Sequence, residues 1–345
     1  MLDTKKIEKI SEIVIKILYR RFDNFPEDAN KNRNAPFHKA FLNAFGDKLE
    51  GLVTNVPYFI SLSSWLHGLN TTMGQTFFEG VAHILSDGSK REYTSKRSGN
   101  LLISHYQKQA ISDIITDLSN GNEKPNLKLE NVKIFNNNDE ADTDSLGFSA
   151  DVFIEEEDQI IAIELKAVRP NSGEVRGEKQ KILEGKAALS RKFPDKKVKF
   201  FIGFPFDPTS EESDIEHNKK RFMSSIINMG KYFSEDEVLL ASELWDYLSG
   251  DKNTMEQILS IINLIATTEF MSIYEYINNN DNRHTDKYKQ YLLDWNIHQE
   301  LFIINNISKI EEKMNSSHKR TFNQPVFKNG EYNISRFITL SELIR

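Results

Sequence analysis

Cysteine is absent from the 345 residues, which removes disulfides, thiolate metal sites and cysteine nucleophiles at once. A metal ion could be held only by oxygen or imidazole. The eight histidines are scattered, and none falls at the HxxxH spacing that sets two imidazoles on one helix face, so oxygen is the expected donor. Neither a GxxxxGK[ST] phosphate loop nor a GxSxG nucleophile elbow occurs, which argues against nucleotide-driven motors and α/β-hydrolase chemistry. No apolar run approaches the roughly 18 residues of a membrane span, and residues 1–6 (MLDTKK) lack a signal-type apolar stretch. A cytoplasmic protein with no membrane partner is expected. Internal repeats and coiled-coil heptads are missing as well. A basic excess is also lacking: the net charge of −7 argues against coating nucleic acid through bulk electrostatics.

What is present is an ordinary globular balance, 39% hydrophobic and 28% charged, long enough to bury a sizeable core. The expected layout is one body with three regions: a helical N-terminal region over 1–70, a core over 71–250, and a mainly helical region over 251–345. Charge is uneven within it. From Lys166 to Phe200 eleven Lys/Arg stand against four acids, a local +7, which suits a polyanion held in a localised cleft.

Apolar spacing predicts helices over 6–22, 36–45 and 74–85, the last with Phe77, Val81, Ile84 and Leu85 on one face and Glu79 off it. A turn follows at 86–89, and helical spacing returns over 101–118. Residues 119–143 read as a polar, Asn-rich connection with one short strand at 132–135. The pattern then changes to strands at 148–154 and 160–168 around a charged turn, an antiparallel hairpin, followed by a basic amphipathic helix over 176–193 and a buried strand over 198–204. Residues 214–232 and 234–248 are expected to be helical. Lys90, Arg91, Lys96 and Arg97 are placed in a Gly/Ser-flanked loop suited either to phosphate contact or to solvent.

The second hairpin strand points Ala162, Glu164 and Lys166 one way and Ile161, Ile163 and Leu165 the other. Charges on so apolar a strand must be paired, metal-bound or at a cleft edge. Asp151 on the partner strand is expected to come opposite the end that carries Glu164. Two nearby carboxylates repel unless a hard cation sits between them, and oxygen donors with open positions suit Mg²⁺. Such an ion can bind a phosphate oxygen and acidify a water, while the Lys166 ammonium orients that water and stabilises the transition state. Phosphodiester hydrolysis is the reaction these groups describe.

Asp151, twelve intervening residues and Glu164-Leu165-Lys166 on an apolar strand resemble the PD-(D/E)xK nuclease motif, with Ala150 where that superfamily usually has proline. The resemblance implies a restriction-endonuclease-like α/β (α+β) core, a mixed sheet flanked by helices. It implies Asp151, Glu164 and the Leu165 carbonyl as metal ligands, and a supporting glutamate on a preceding helix, matched by Glu79. The helix after the motif often faces DNA in such proteins, which nominates Arg169, Arg176, Lys179, Gln180 and Lys181, with Lys96 and Arg97 in the loop. NAPFHKAFLNAF, the stretch from PYFISLSSW to AHILSDG, and IAIELKAVRPNSGEVRGEKQKILEGKAAL further resemble type II restriction endonucleases of the TdeIII kind. That implies a homodimer cutting double-stranded DNA at a short palindrome, with GGNCC as the candidate, and a cognate DNA methyltransferase as functional partner.

Blander readings stand beside these. Glu164 and Lys166 could form a cross-face ion pair on an exposed edge strand, and the basic helix could be a solvated face. Two rivals follow: a structure-selective or modification-dependent nuclease of the same fold, and a non-catalytic DNA-binding protein.

Overall fold

Two β-branched apolar runs separated by Glu156, Glu157 and Asp158 meet the condition for a tight hairpin, and in the computed structural model they form one. The structure describes residues 1–27, 36, 40, 42–45, 49, 56–137, 139–167, 170–211, 213 and 215–344. Within them the chain divides into two compact units, residues 1–2 with 78–259 and residues 3–77 with 260–345.

The first unit is built on a sheet of β1 (Ser89–Tyr93), β2 (Phe148–Glu155), β3 (Gln159–Leu165), β4 (Lys197–Phe204) and β5 (Val238–Leu240), in that spatial order. β1, β2 and β3 pair antiparallel, whereas β3, β4 and β5 are parallel. A parallel neighbour requires a crossover, supplied between β3 and β4 by a long helix. Its helices include α1 (Glu79–Ser86), α2 (His105–Asn120), α3 (Leu127–Phe135), α4 (Ser172–Lys192) and α5 (Ser242–Ser249). α4 packs on β4 and against α2, while α5 packs against α1. The two-residue period of β4 turns Phe200 toward Gly185 of α4 and Gly203 toward Leu244 of α5, so helices cover both faces. Ile160, Ile161, Ala162 and Ile163 are accordingly all buried, the signature of a central strand.

The hairpin, the basic helix and the strand at 198–204 match the sequence expectations; four other elements do not. Residues 132–135 belong to α3 rather than to a strand, because Asn126 caps the backbone N–H groups of Lys128 and Leu129 and starts a helix there. β5 lies inside a stretch expected to be helical: Val238–Leu240 gain more by closing the buried edge of β4 than a helix would offer them. Lys90 and Arg91 lie on strand β1, not in a loop. Residues 73–78 are π-helical, so of the helix expected over 74–85 only the part from Glu79 onward is α-helical. The helix expected over 36–45 falls largely outside the described residues.

Among the described residues the second unit is mainly helical, with a short hairpin of Phe327–Lys328 and Glu331–Tyr332. Its helices include Thr4–Asp23, capped by Asp3, and a C-terminal group packed around Ile303, Ile310, Phe322 and Leu340. Buried Arg336 pairs with Glu300, and Arg283 donates to the carbonyls of Phe322 and Gln324. Among the described residues no single helix is long and apolar enough to cross a membrane.

At Gly185 α4 packs tightly on the sheet: a Cβ there would lie 2.8 Å from the Phe200 ring and 3.1 Å from that of Phe148. Gly185→Val should destabilise the protein by about 1–3 kcal/mol through overpacking, read as a lower urea midpoint at unchanged slope.

Candidate active site

The register that pairs Val152 with Ile163 brings Asp151, one residue further, to the end of β3 that carries Glu164. On its other side β2 is irregular. Ser89 pairs with Phe153 and Arg91 with Ala150, so Asp151 and Val152 together oppose the single residue Lys90, a β-bulge. The bulge removes Asp151 from the regular ladder and frees its groups for other partners. Its carbonyl accepts from His83 Nε2 of α1 at 2.6 Å, and since a carbonyl can only accept, that ring nitrogen carries a proton. Oδ2 of its carboxylate takes the Leu165 backbone N–H at 2.9 Å. Lys166 leaves the strand held by its own N–H, donated to the Gly203 carbonyl of β4.

Around this point two ionic clusters meet. In the first, Lys90 Nζ lies 2.9 Å from Asp151 Oδ1 and 3.2 and 3.3 Å from the two oxygens of Glu79, the first residue of α1. In the second, Lys166 Nζ lies 3.1 Å from Glu164 Oε1 and 2.9 Å from Glu178 Oε1 of α4. Lys181 Nζ lies 3.0 Å from the same oxygen of Glu164 and 3.1 Å from Glu178 Oε2. Ser149 Oγ donates to the remaining oxygen of Glu164 at 3.2 Å. Asp151 and Glu164 are 8% and 5% exposed, and carboxylates so enclosed stay ionised only with this degree of compensation. Four carboxylates face three ammonium groups, leaving one negative charge over the site.

The electrostatics follow from the packing. Burial by itself would lower the Lys166 pKa, but the carboxylates of Glu164 and Glu178 outweigh it and hold the ammonium above its ordinary range. Lys90 is raised in the same way: its desolvation would lower it, and the carboxylates of Asp151 and Glu79 outweigh that. Glu79 is pushed up, chiefly by burial and next by the charge of Asp151, with Lys90 opposing both.

The sequence motif therefore does come together in space. Asp151, Glu164, the Leu165 backbone and Lys166 meet at one end of the hairpin, and Glu79 reaches them through Lys90. Of the cations nominated for DNA contact, Lys181 joins the site itself. Gln180 is half-buried and donates to Glu184 at 3.0 Å. Arg176 is exposed on α4, as are Lys96 and Arg97 on the turn after β1, where Arg97 pairs with Glu92 at 3.2 Å. Arg169 lies outside the described residues. Lys179 needs correction: it is fully buried, with Nζ 2.6 Å from both Glu130 of α3 and Glu237, and offers nothing to a polyanion at the surface.

Sequence reasoning missed Glu178, Lys90's role at Asp151, and Ser149. Glu178 had a faint signal, an acid three residues before Lys181 on a helix. Lys90 had none, because its position depends on a bulge in another strand. Among the described residues no three acid or imidazole side chains converge as a preformed metal cage. Asp151 and Glu164 are nonetheless oxygen donors of the kind that suits a hard divalent ion. A cation is already demanded at this point, since Lys90 bridges two carboxylates there.

A mixed five-stranded sheet with flanking helices, carrying paired acids and a lysine where a central strand ends, is a restriction-endonuclease-like core. Residues 2–266 match the family described as type II restriction endonuclease, HinfI. The chain is also 43% identical, over 363 aligned positions, to the type II restriction enzyme MjaII of Methanocaldococcus jannaschii, covering 98% of this chain and 96% of that enzyme. It belongs to the HinfI family of type II restriction endonucleases, which are site-specific deoxyribonucleases.

Lys179 offers a test of structure against DNA contact. Lys179→Met strands two buried carboxylates and should cost about 3–5 kcal/mol, seen as a lower denaturation midpoint. A variant of unchanged stability but weakened DNA binding would contradict this placement.

Proposed function

We propose that this restriction endonuclease is a Mg²⁺-dependent enzyme of the PD-(D/E)xK type, with Asp151, Glu164 and the Leu165 carbonyl holding the ion. The observation that carries the reading is the convergence of Asp151 and Glu164 with the Lys166 ammonium, 3.1 Å from Glu164, at one end of β3. When bound, the ion would supply positive charge to the phosphate and the departing oxygen and acidify an adjacent water. Lys166 orients that water for attack on phosphorus and offsets the negative charge that develops. Glu178 holds the Lys166 amine and is itself paired with Lys181, and Glu79 supports the site through Lys90. Exposed Arg176, Lys96 and Arg97, with Gln180, Lys181 and Arg169, take backbone phosphates of the duplex.

By its likeness to the TdeIII kind, the substrate is a short palindrome in double-stranded DNA, GGNCC. A two-fold symmetric sequence cut on both strands asks for two active sites, hence a homodimer. A cytoplasmic location and a cognate methyltransferase as functional partner complete the proposal.

Digestion of a plasmid of known sequence, followed by end-sequencing, tests this. Discrete fragments ending at GGNCC are expected with Mg²⁺ and none after chelation. Lys166→Met, folded by circular dichroism, should cut at least ~10²–10³-fold more slowly while retaining most DNA affinity, because one ammonium is a small share of the phosphate contacts. Normal cutting by that variant would remove Lys166 from catalysis.

A further inference from the structure

The lysine opposite the bulge has a consequence for metal binding. Its ammonium is 2.9 Å from Asp151 Oδ1 and within 3.3 Å of both Glu79 oxygens, so it neutralises the carboxylate proposed as a metal ligand. We infer that Lys90 is a built-in counter-cation that competes with the divalent ion for Asp151, so that the metal affinity of the free enzyme is set by release of this side chain. The inference rests on the metal reading above.

Three features support it. A dication on Asp151 would face a like charge at close range, and in this half-buried setting that repulsion is not screened away. One of the two must therefore yield. Lys90 is able to: it sits on the edge strand β1 with its side chain 38% exposed, so its amine can swing into solvent without opening the core. Lys166 and Lys181 are less free, at 25% and 21% exposed and each bound to two acids of the second cluster. Finally, the bulge sets two residues of β2 against Lys90 alone. Removing the amine would leave Asp151 and Glu79 as uncompensated neighbours, which raises their demand for another cation.

The test is titration of the full-length protein with Mn²⁺, without DNA, followed by electron paramagnetic resonance of the free ion. Wild type is compared with Lys90→Met, Lys90→Gln, Lys90→Arg and Asp151→Asn, each checked for folding by circular dichroism. Lys90→Met and Lys90→Gln should bind Mn²⁺ roughly ten-fold more tightly than wild type, as expected for loss of a partly buried competing charge. Lys90→Arg, which keeps the charge, should stay close to wild type. Equal or weaker Mn²⁺ binding by both neutral variants, with wild type binding and Asp151→Asn not, overturns the competition. If wild type binds no Mn²⁺, or Asp151→Asn binds as well as wild type, the metal-site reading itself fails and takes this inference with it.

Discussion

Enclosed carboxylates that cannot be left uncompensated are the constraint on which this site is built. Asp151 and Glu164 sit at the end of a central strand with under a tenth of their surface in water. An isolated charge there would cost several kcal/mol, so each surrounding element contributes a compensating group. β1 provides Lys90, the residue after β3 provides Lys166, and α4 provides Lys181. Glu178 then balances the two ammonium groups on Glu164. The bulge in β2 belongs to the same arrangement, since it lets the Asp151 carboxylate take the Leu165 N–H while its carbonyl serves His83.

The hairpin and the crossover were legible in the sequence because they rest on local periodicity. Alternation over 148–152 running into apolar 152–154, and an unbroken apolar run from Ile160 to Ile163, specify β2 and β3, and the short charged turn fixes which ends meet. Asp151, Glu164 and Lys166 could be read as a group for that reason. β5 was not legible: three apolar residues fit a helix as well as a strand, and only the open edge of β4 decides between them. The strand at Lys90 was hidden by its composition, since SKREY has the polar character of a loop and becomes a strand by pairing with β2. α3 turned on its cap, a choice made at Asn126 rather than in the apolar residues themselves.

The basic helix shows where a charge count misleads. Residues 179 and 181 are about 200° apart around a helix axis, so they cannot share a face. Lys181 turns to the hairpin and meets Glu164, whereas Lys179 turns inward to Glu130 and Glu237. The local +7 is thus divided among the core, the site and the surface, and it overstates what is offered to DNA. Sorting the lysines by helical angle against the apolar residues Val175, Ile182 and Leu189 would have separated Lys179 from the exposed Arg176.

Exposure grades the same side chain type into different tasks. Lys179 is 0% exposed, Lys181 21%, Lys166 25% and Lys90 38%, and each is held by two acids. Breaking the fully buried pairing leaves bare charge in a low-dielectric interior, so Lys179 is locked to its partners. At the exposed end water replaces a lost partner, and an ion pair is worth about 1 kcal/mol or less. A site that must admit a polyanionic phosphate needs ammonium groups that can exchange a carboxylate for a phosphate oxygen at small cost. The partly exposed lysines around Asp151 and Glu164 come closer to that condition than Lys179, which is fully enclosed with Glu130 and Glu237.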